Sequence, residues 1–146
     1  MKHSELPSRA QDMFCHSVYV ASHVINRAYT PHLKKLGLTY PQYITLTLLW
    51  EKDGQSVGAL AGQLRMETST LTPLIKRLEA LGHVQRRRGE TDERQVFVHL
   101  TGPGRALQAQ APGITACMVE GTGLTTQELD SLQALLGRLS DGLQPG

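Results

Sequence analysis

Hydrophobic residues follow a helical spacing along most of this chain and change to an alternating spacing in one stretch. Near the centre they recur at intervals of three and four, which predicts an amphipathic helix. The members of this stripe are Leu71, Leu74, Ile75, Leu78 and Leu81. Gly82 follows where a C-terminal cap glycine is expected. A shorter helical pattern precedes the stripe, and two predicted strands follow it, the first beginning at Val84 and the second containing Val96, Val98 and Leu100.

Two short helices followed by a hairpin have the order of a winged helix-turn-helix, so we predict a mainly α fold with a small β-hairpin wing. Opposite the leucine stripe the second helix carries hydroxyl and basic side chains, which contact base edges and phosphates in DNA complexes. The residues predicted to contact DNA are Thr68, Ser69, Thr70, Thr72, Lys76 and Arg77 on the helix and Arg86, Arg87, Arg88 and Arg94 on the wing. Pro73 is expected within about the first helical turn, where it costs little. An ordinary solvated hairpin is the alternative.

A long helical pattern precedes this central region. It runs from about Arg9 to Tyr29. Because Pro31 disfavours helical geometry at Thr30, we expect the chain to stop or kink there, before a shorter helical piece from His32 to Leu36. Thr39 is then expected to cap the next helix.

Further helical patterns follow the wing. We expect a helix over Thr101–Ala111, an interruption at Pro112–Gly113 and a short piece over Ile114–Glu120. The last helix should begin at a capping box, Thr125–Glu128, and continue along a stripe of leucines.

The flanking helices carry more apolar surface than a small winged region can cover, which favours a homodimer. We expect one domain over residues 1–146, with dimerisation helices at 8–36 and 102–143 and a DNA-binding region at 39–101. Two recognition helices related by a two-fold axis fit a palindromic double-stranded operator. A monomer with its helices folded back is the alternative.

Length and composition exclude several classes of protein. The chain has 146 residues and a formal net charge of +2, so one domain is expected and the distribution of charge must matter more than its total. No apolar run has the length of a membrane span, and no signal-peptide pattern is present, so we expect a cytoplasmic protein without membrane contact. No glycine-rich phosphate loop or nucleophile elbow is present, and we expect neither an enzyme nor a cofactor. His16 and His23 lack further ligands at metal-binding spacing, so no metal is expected.

The two cysteines, Cys15 and Cys117, lie near opposite ends of the chain. Cys15 and Tyr19 are i and i+4 and share a helix face. Tyr29 comes 14 residues after Cys15, roughly 21 Å further along a straight helix. The two can therefore meet only across an antiparallel pair of such helices, where phenol donors would stabilise a thiolate. The alternative is that both cysteines are small buried hydrophobic residues.

The sequence Asp92-Glu93-Arg94 in the wing resembles the Asp-x-Arg motif of the MarR family of bacterial regulators. The passage from Leu78 to Val84 also resembles that family's passage from recognition helix to wing. The resemblance extends over nearly the whole chain. It implies that Asp92 orients Arg94 for insertion into the minor groove.

Within that family, Cys15, Tyr29 and the segment Tyr40-Pro41-Gln42-Tyr43 resemble the organic-hydroperoxide-sensing regulators (OhrR). The resemblance implies that Cys15 is the peroxide sensor and that Tyr29 and Tyr40 of the other subunit hydrogen-bond it. It also implies that Cys117 is the resolving cysteine of a two-cysteine member, whereas a one-cysteine member would form a mixed disulfide with a small thiol.

We therefore expect a homodimeric repressor that leaves its operator when an organic hydroperoxide oxidises Cys15. The alternative is a regulator of the same fold that is released by a small phenolic or drug-like ligand, with the cysteines incidental. A thiol peroxidase would need a recycling route that the sequence does not show.

Overall fold

The chain is mainly helical and contains one small antiparallel sheet, as a computed structural model that describes residues 8–9 and 12–144 shows. The helices are α1 (Phe14–Lys34), α2 (Tyr40–Glu51), α3 (Val57–Leu64), α4 (Thr68–Ala80), α5 (Gly102–Ala106), α6 (Ala111–Thr122) and α7 (Thr126–Leu143). The strands are β1 (Gln55–Ser56), β2 (Val84–Arg88) and β3 (Val96–Leu100), in the spatial order β1-β3-β2. The predicted fold class, mainly α with a small β wing, is confirmed.

The chain forms two compact units, one ending at Ala111 and the other beginning at Pro112. The first unit contains α1 to α5 and the sheet. Its core consists of side chains at most 2 % exposed, including Leu33, Leu46, Leu49, Leu60, Leu71, Ile75, Leu78, Val84 and Val98. The predicted assignment of the chain ends to dimerisation and of residues 39–101 to DNA binding stays a prediction.

Helix α1 begins at Phe14 and continues through Pro31 to Lys34, so the chain does not stop at Thr30 as one form of the prediction had it. Pro31 lies in the last turn of α1, so the helix continues for only three residues beyond the hydrogen bond that the proline removes. The hydroxyl of Thr30 donates to the carbonyl of Asn26 at 3.0 Å. Leu33, only 2 % exposed, anchors the end of the helix in the core. Tertiary packing therefore overrides the local preference of the residue before a proline.

The predicted interruption at Pro112–Gly113 is also wrong, because both residues lie inside α6. Pro112 is the second residue of that helix, where the missing N–H has no intrahelical partner. A 3-10 turn at Leu107–Gln110 precedes α6 instead.

Two helix starts agree with the sequence. The hydroxyl of Thr39 accepts the N–H of Gln42 while the Gln42 side chain accepts the N–H of Thr39, which forms a capping box at α2. Thr125 and Glu128 form the predicted capping box of α7 in the same way, at 2.9 and 3.1 Å. The sequence predicted the capping box of α7 and the Thr39 cap of α2, but not the reciprocal bond between the Thr39 N–H and the Gln42 side chain.

Candidate DNA interface and thiol site

Helix α4 buries one face and presents polar side chains on the others. Leu71, Ile75 and Leu78 are fully buried, whereas Leu81 is the C-cap and is 50 % exposed, so its predicted place in the buried stripe is wrong. The stripe ends early because Gly82, with φ of 88°, turns the chain toward β2. The predicted DNA contacts Thr68, Ser69, Thr70, Lys76 and Arg77 are exposed, and Thr72 is half-buried.

Pro73 lies deeper in the helix than the sequence suggested. Glu67 is the N-cap of α4, so Pro73 is the sixth helical residue and belongs to the second turn. The proline ring cannot donate to the carbonyl of Ser69. The adjacent Thr72 hydroxyl donates to the carbonyl of Thr68 at 2.8 Å.

The tip of the wing is a tight turn that holds Arg94 outward. The N–H of Gly89 donates to the carbonyl of Gln95 at 2.8 Å, and the N–H of Gln95 donates to the carbonyl of Asp92 at 3.1 Å. A Cβ on Gly89 would lie 2.5 Å from the Asp92 carbonyl oxygen, so glycine is required there. Asp92 Oδ1 accepts the backbone N–H and the Nε–H of Arg94, whose side chain is 93 % exposed.

The other wing arginines are also exposed, but each donates a hydrogen bond to another group of the protein. Arg86 donates its backbone N–H and its Nε–H to the two carboxylate oxygens of Glu79 on α4, at 2.9 and 3.1 Å. Arg87 donates to Gln85 Oε1 at 3.2 Å, and Arg88 donates to the carbonyl of Glu93 at 3.1 Å. Sequence reasoning missed Glu79, because a carboxylate on a helix gives no local sign that it will meet a strand.

The hydrogen bonds from Arg86 hold the pKa of Glu79 below its ordinary range, the backbone N–H being the largest cause. Glu79 is therefore ionised at neutral pH and faces a permanent cation.

A groove of about 400 Å³ lies between α3, α4 and the wing. Thr68, Thr72, Arg86 and Arg94 are among its lining residues. The structure thus brings together the hydroxyl side chains of α4 and two of the predicted wing arginines on one surface.

The base of the wing is fixed to α2 and α5. The indole N–H of Trp50 donates to the carbonyl of Gly104 at 3.0 Å. A Cβ on Gly104 would lie 2.0 Å from the carbonyl oxygen of His83, so α5 approaches the start of the wing closely. Thr101 caps α5 and donates its hydroxyl to the carbonyl of Gly82 at 2.6 Å. The wing is therefore anchored at the end opposite its tip.

Cys15 and Cys117 are both free and exposed. Within a single chain, neither is therefore the small buried hydrophobic residue that the sequence left as the alternative. Cys15 lies on α1 one turn before Tyr19, which is 65 % exposed. The Tyr19 ring packs edge-on against the His23 ring, with their centroids 4.5 Å apart. Tyr29 belongs to the same helix.

Tyr29 lies in an aromatic cluster at the far end of α1. Its ring centroid is 4.8 Å from that of Tyr40 and 6.0 Å from that of Tyr43. Burial raises the pKa of all three phenols above the ordinary value. These tyrosines therefore stay protonated, and able to donate, at neutral pH.

Within residues 8–9 and 12–144, no group of three or more His, Cys, Asp or Glu side chains is arranged to hold a metal ion. Over the same residues, every helix is too short or too polar to cross a bilayer.

The fold, the polar face of α4 and the arginine-bearing wing define a winged-helix regulator of the MarR/SarA type. A family model described as transcriptional regulator SarA/Rot matches residues 27–110, and the chain belongs to that family. This match indicates no family of enzymes.

Two named relatives are similar over most of the chain. The HTH-type transcriptional regulator TtmR of Methylorubrum extorquens (strain PA1) is 43 % identical over 134 residues, which are 92 % of this chain and 67 % of TtmR. The HTH-type transcriptional regulator MgrA of Staphylococcus aureus is 33 % identical over 130 residues, 88 % of each chain.

Among solved structures, AbfR of Staphylococcus epidermidis is 32 % identical, with a TM-score of 0.74 and coverage of 89 % of this chain and 88 % of that one. Reduced AbfR bound to DNA is 33 % identical with a TM-score of 0.76, covering 89 % and 91 %. Disulfide-formed AbfR is 34 % identical with a TM-score of 0.62, covering 89 % and 86 %. The OhrR subgroup stays a prediction.

Proposed function

We propose that this chain is a homodimeric transcriptional repressor that binds a palindromic double-stranded operator and releases it when an organic hydroperoxide oxidises Cys15. The observation that carries the DNA-binding part is the exposed Arg94 held by Asp92 on the same surface as the hydroxyl side chains of α4. The structure of reduced AbfR bound to DNA supports it.

Unpartnered apolar side chains on both terminal regions support the dimer. On α1, Phe14 and Val24 are 60 % and 56 % exposed, and on α7, Leu135 and Leu143 are 58 % and 71 % exposed. No described residue of α7 is buried within its own chain. Large apolar side chains left exposed on each of these helices are consistent with a surface that a second subunit covers.

The sensing part rests on the exposed thiol of Cys15 and on protonated phenols that a second subunit can bring to it. The thiolate attacks the O–O bond of the hydroperoxide, so that an S–O bond forms, the O–O bond breaks and the alkoxide leaves as the alcohol after taking a proton. Sulfur loses two electrons and becomes the sulfenic acid. Condensation with the Cys117 thiol forms a disulfide and releases water. Disulfide-formed AbfR supports this second step.

The second candidate is release by a small phenolic or drug-like ligand. A cavity of about 510 Å³ between the end of α1 and the start of α2 favours it, with Asn26, Thr30 and Tyr40 among its lining residues. Such a ligand would stack or hydrogen-bond at Tyr40 without any change at sulfur.

Titration of the DNA complex discriminates the two candidates. The duplex is one that the reduced protein selects from a randomised library, and release is followed by fluorescence anisotropy. Cumene hydroperoxide at one equivalent should release the parent but not Cys15→Ser, whereas salicylate, as a phenolic probe, should release neither. Release of both proteins by salicylate, with no response to peroxide, would favour the ligand-controlled regulator.

A further inference from the structure

Glu79 joins the recognition helix directly to the wing. The side chain comes from the last turn of α4. One of its carboxylate oxygens accepts the backbone N–H of Arg86 on β2, and the other accepts the Nε–H of the same arginine. Strand β2 is an edge of the sheet, and Arg86 is paired with Val98 of β3 on its inner side. The carboxylate therefore occupies the outer edge of β2.

We infer that Glu79 is a positioning residue for DNA binding. Its two hydrogen bonds to Arg86 set the angle between α4 and the wing, and it does not contact DNA itself. The inference rests on the proposed DNA-binding function. It also gives Arg86 a different role from the DNA contact predicted from the sequence.

The distance between Arg86 and the wing tip explains why the two Glu79–Arg86 hydrogen bonds matter. The helix start near Thr68 and the wing tip at Arg94 must reach DNA in one docking geometry. The tip lies about four residues beyond Arg86, roughly 13 Å at the rise of a strand. A rotation of the wing by about 10° would then move Arg94 by roughly 2 Å, enough to lose a directed hydrogen bond.

The exposures of the two arginines support this division of roles. The side chain of Arg86 is 33 % exposed and lies against a carboxylate, whereas that of Arg94 is 93 % exposed. The charge of Arg86 is therefore offset within the protein. The hydrogen bonds that hold the pKa of Glu79 low keep this carboxylate ionised wherever the protein works near neutral pH.

Charge and geometry predict opposite results for Glu79→Ala. Removal of a negative charge beside a polyanion should tighten binding if Glu79 acts only through its charge. Loss of the hydrogen bonds to Arg86 should instead weaken DNA binding, and we expect the affinity to fall by about tenfold or more. The salt slope should become shallower by up to about one unit, because a displaced wing loses the DNA contact of Arg94 although no cation is removed. Glu90→Ala is the matched control, since it removes an exposed carboxylate from the wing tip and should bind as tightly as the parent or more tightly.

The experiment measures affinity for the selected duplex at several salt concentrations for Glu79→Ala, Arg86→Ala and the double variant. If the two residues act as one unit, the double variant should be no weaker than Glu79→Ala alone, because Glu79→Ala already removes both hydrogen bonds, whereas Arg86→Ala keeps the one from the backbone N–H. Glu79→Gln keeps an acceptor for the backbone N–H, so its affinity for DNA should lie between those of the parent and Glu79→Ala. It replaces Glu79→Ala in the experiment if the alanine variant does not fold. Glu79→Ala or Glu79→Gln that binds like Glu90→Ala would overturn the inference. A parent protein that selects no duplex would instead contradict the proposed function.

Discussion

One carboxylate oxygen of Asp92 fixes both the backbone and the side chain of Arg94. Oδ1 accepts the backbone N–H at 3.0 Å and the Nε–H at 3.2 Å. The rotamer freedom of this exposed arginine is thus partly restricted, which would lower the entropic cost of binding if Arg94 contacts DNA as we propose.

Replacement of Arg94 tests the wing assignment. Arg94→Ala should weaken operator binding by about tenfold or more, and it should shallow the salt slope by about one unit because one phosphate-neutralising cation is lost. Arg87→Ala is the comparison: it also removes a wing arginine, but one that donates to Gln85, so we expect a smaller loss of affinity than for Arg94→Ala. Unchanged affinity of Arg94→Ala would contradict the assignment.

Replacement of Asp92 separates orientation from charge. Asp92→Ala removes a negative charge near DNA and leaves Arg94 in place, yet we expect weaker binding because the arginine must then be ordered on docking. The salt slope should stay close to that of the parent. Tighter binding by Asp92→Ala would show that its charge matters more than its hydrogen bonds.

The local parts of this fold follow from the sequence, and the tertiary parts do not. The α4 stripe, the Thr39 cap and the capping box of α7 depend on residues within one or two turns of each other, and they were predicted at the right positions apart from Leu81. The helix through Pro31 was not predicted, because the burial of Leu33 that secures it is a tertiary contact.

The candidate site divides in the same way. The Asp92–Arg94 pair lies within a single turn, so a motif was sufficient to suggest it. The Glu79–Arg86 contact joins a helix to a strand, and the Trp50–Gly104 hydrogen bond joins residues 54 positions apart. Neither has a spacing that marks it in the sequence.

The close approach at Gly104 predicts a large effect of one added methyl group. Gly104→Ala would place Cβ against the His83 carbonyl, so the backbone must move, and we expect a loss of about 1–3 kcal/mol in the free energy of unfolding. Gly62→Ala in α3 meets no neighbour within 4 Å, and it should stabilise the helix by about 0.5–1 kcal/mol. Urea denaturation at one fixed protein concentration measures both, and equal stabilities would contradict the tight contact.

The buried phenols predict how stability falls at alkaline pH. The folded pKa values of Tyr29, Tyr40 and Tyr43 lie above the ordinary value of about 10. The unfolded chain therefore loses these protons first, so the stabilisation is complete below about pH 10 and falls as pH rises through the folded pKa values. Urea denaturation from pH 8 to pH 11 should show this fall in the parent and a shallower one in Tyr29→Phe. Equal slopes would contradict it.

Charge placed on the apolar face of α7 tests the dimer. Leu135→Glu would place a carboxylate among exposed leucines that we assign to the subunit interface, and it should give monomers or aggregates instead of dimers. Ala134→Glu adds the same charge about 100° away around the helix and should leave the dimer intact. Light scattering at micromolar concentration measures the mass. A dimeric Leu135→Glu protein would show that the interface lies elsewhere.

Oxidation should link the two chains of the dimer. Peroxide converts Cys15 to a sulfenic acid, and Cys117 of the other chain should then condense with it, since we expect the chain ends to interleave. A disulfide needs Cα atoms within about 7 Å, so closing the bond from a greater separation must move α1 or α6 and change the spacing of the two α4 helices. Non-reducing electrophoresis after one equivalent of cumene hydroperoxide should show a covalent dimer in the parent and none in Cys117→Ser or Cys15→Ser. A covalent dimer that persists in Cys117→Ser would indicate a Cys15–Cys15 bond, and release of Cys15→Ser from DNA by peroxide would show that another residue senses the oxidant.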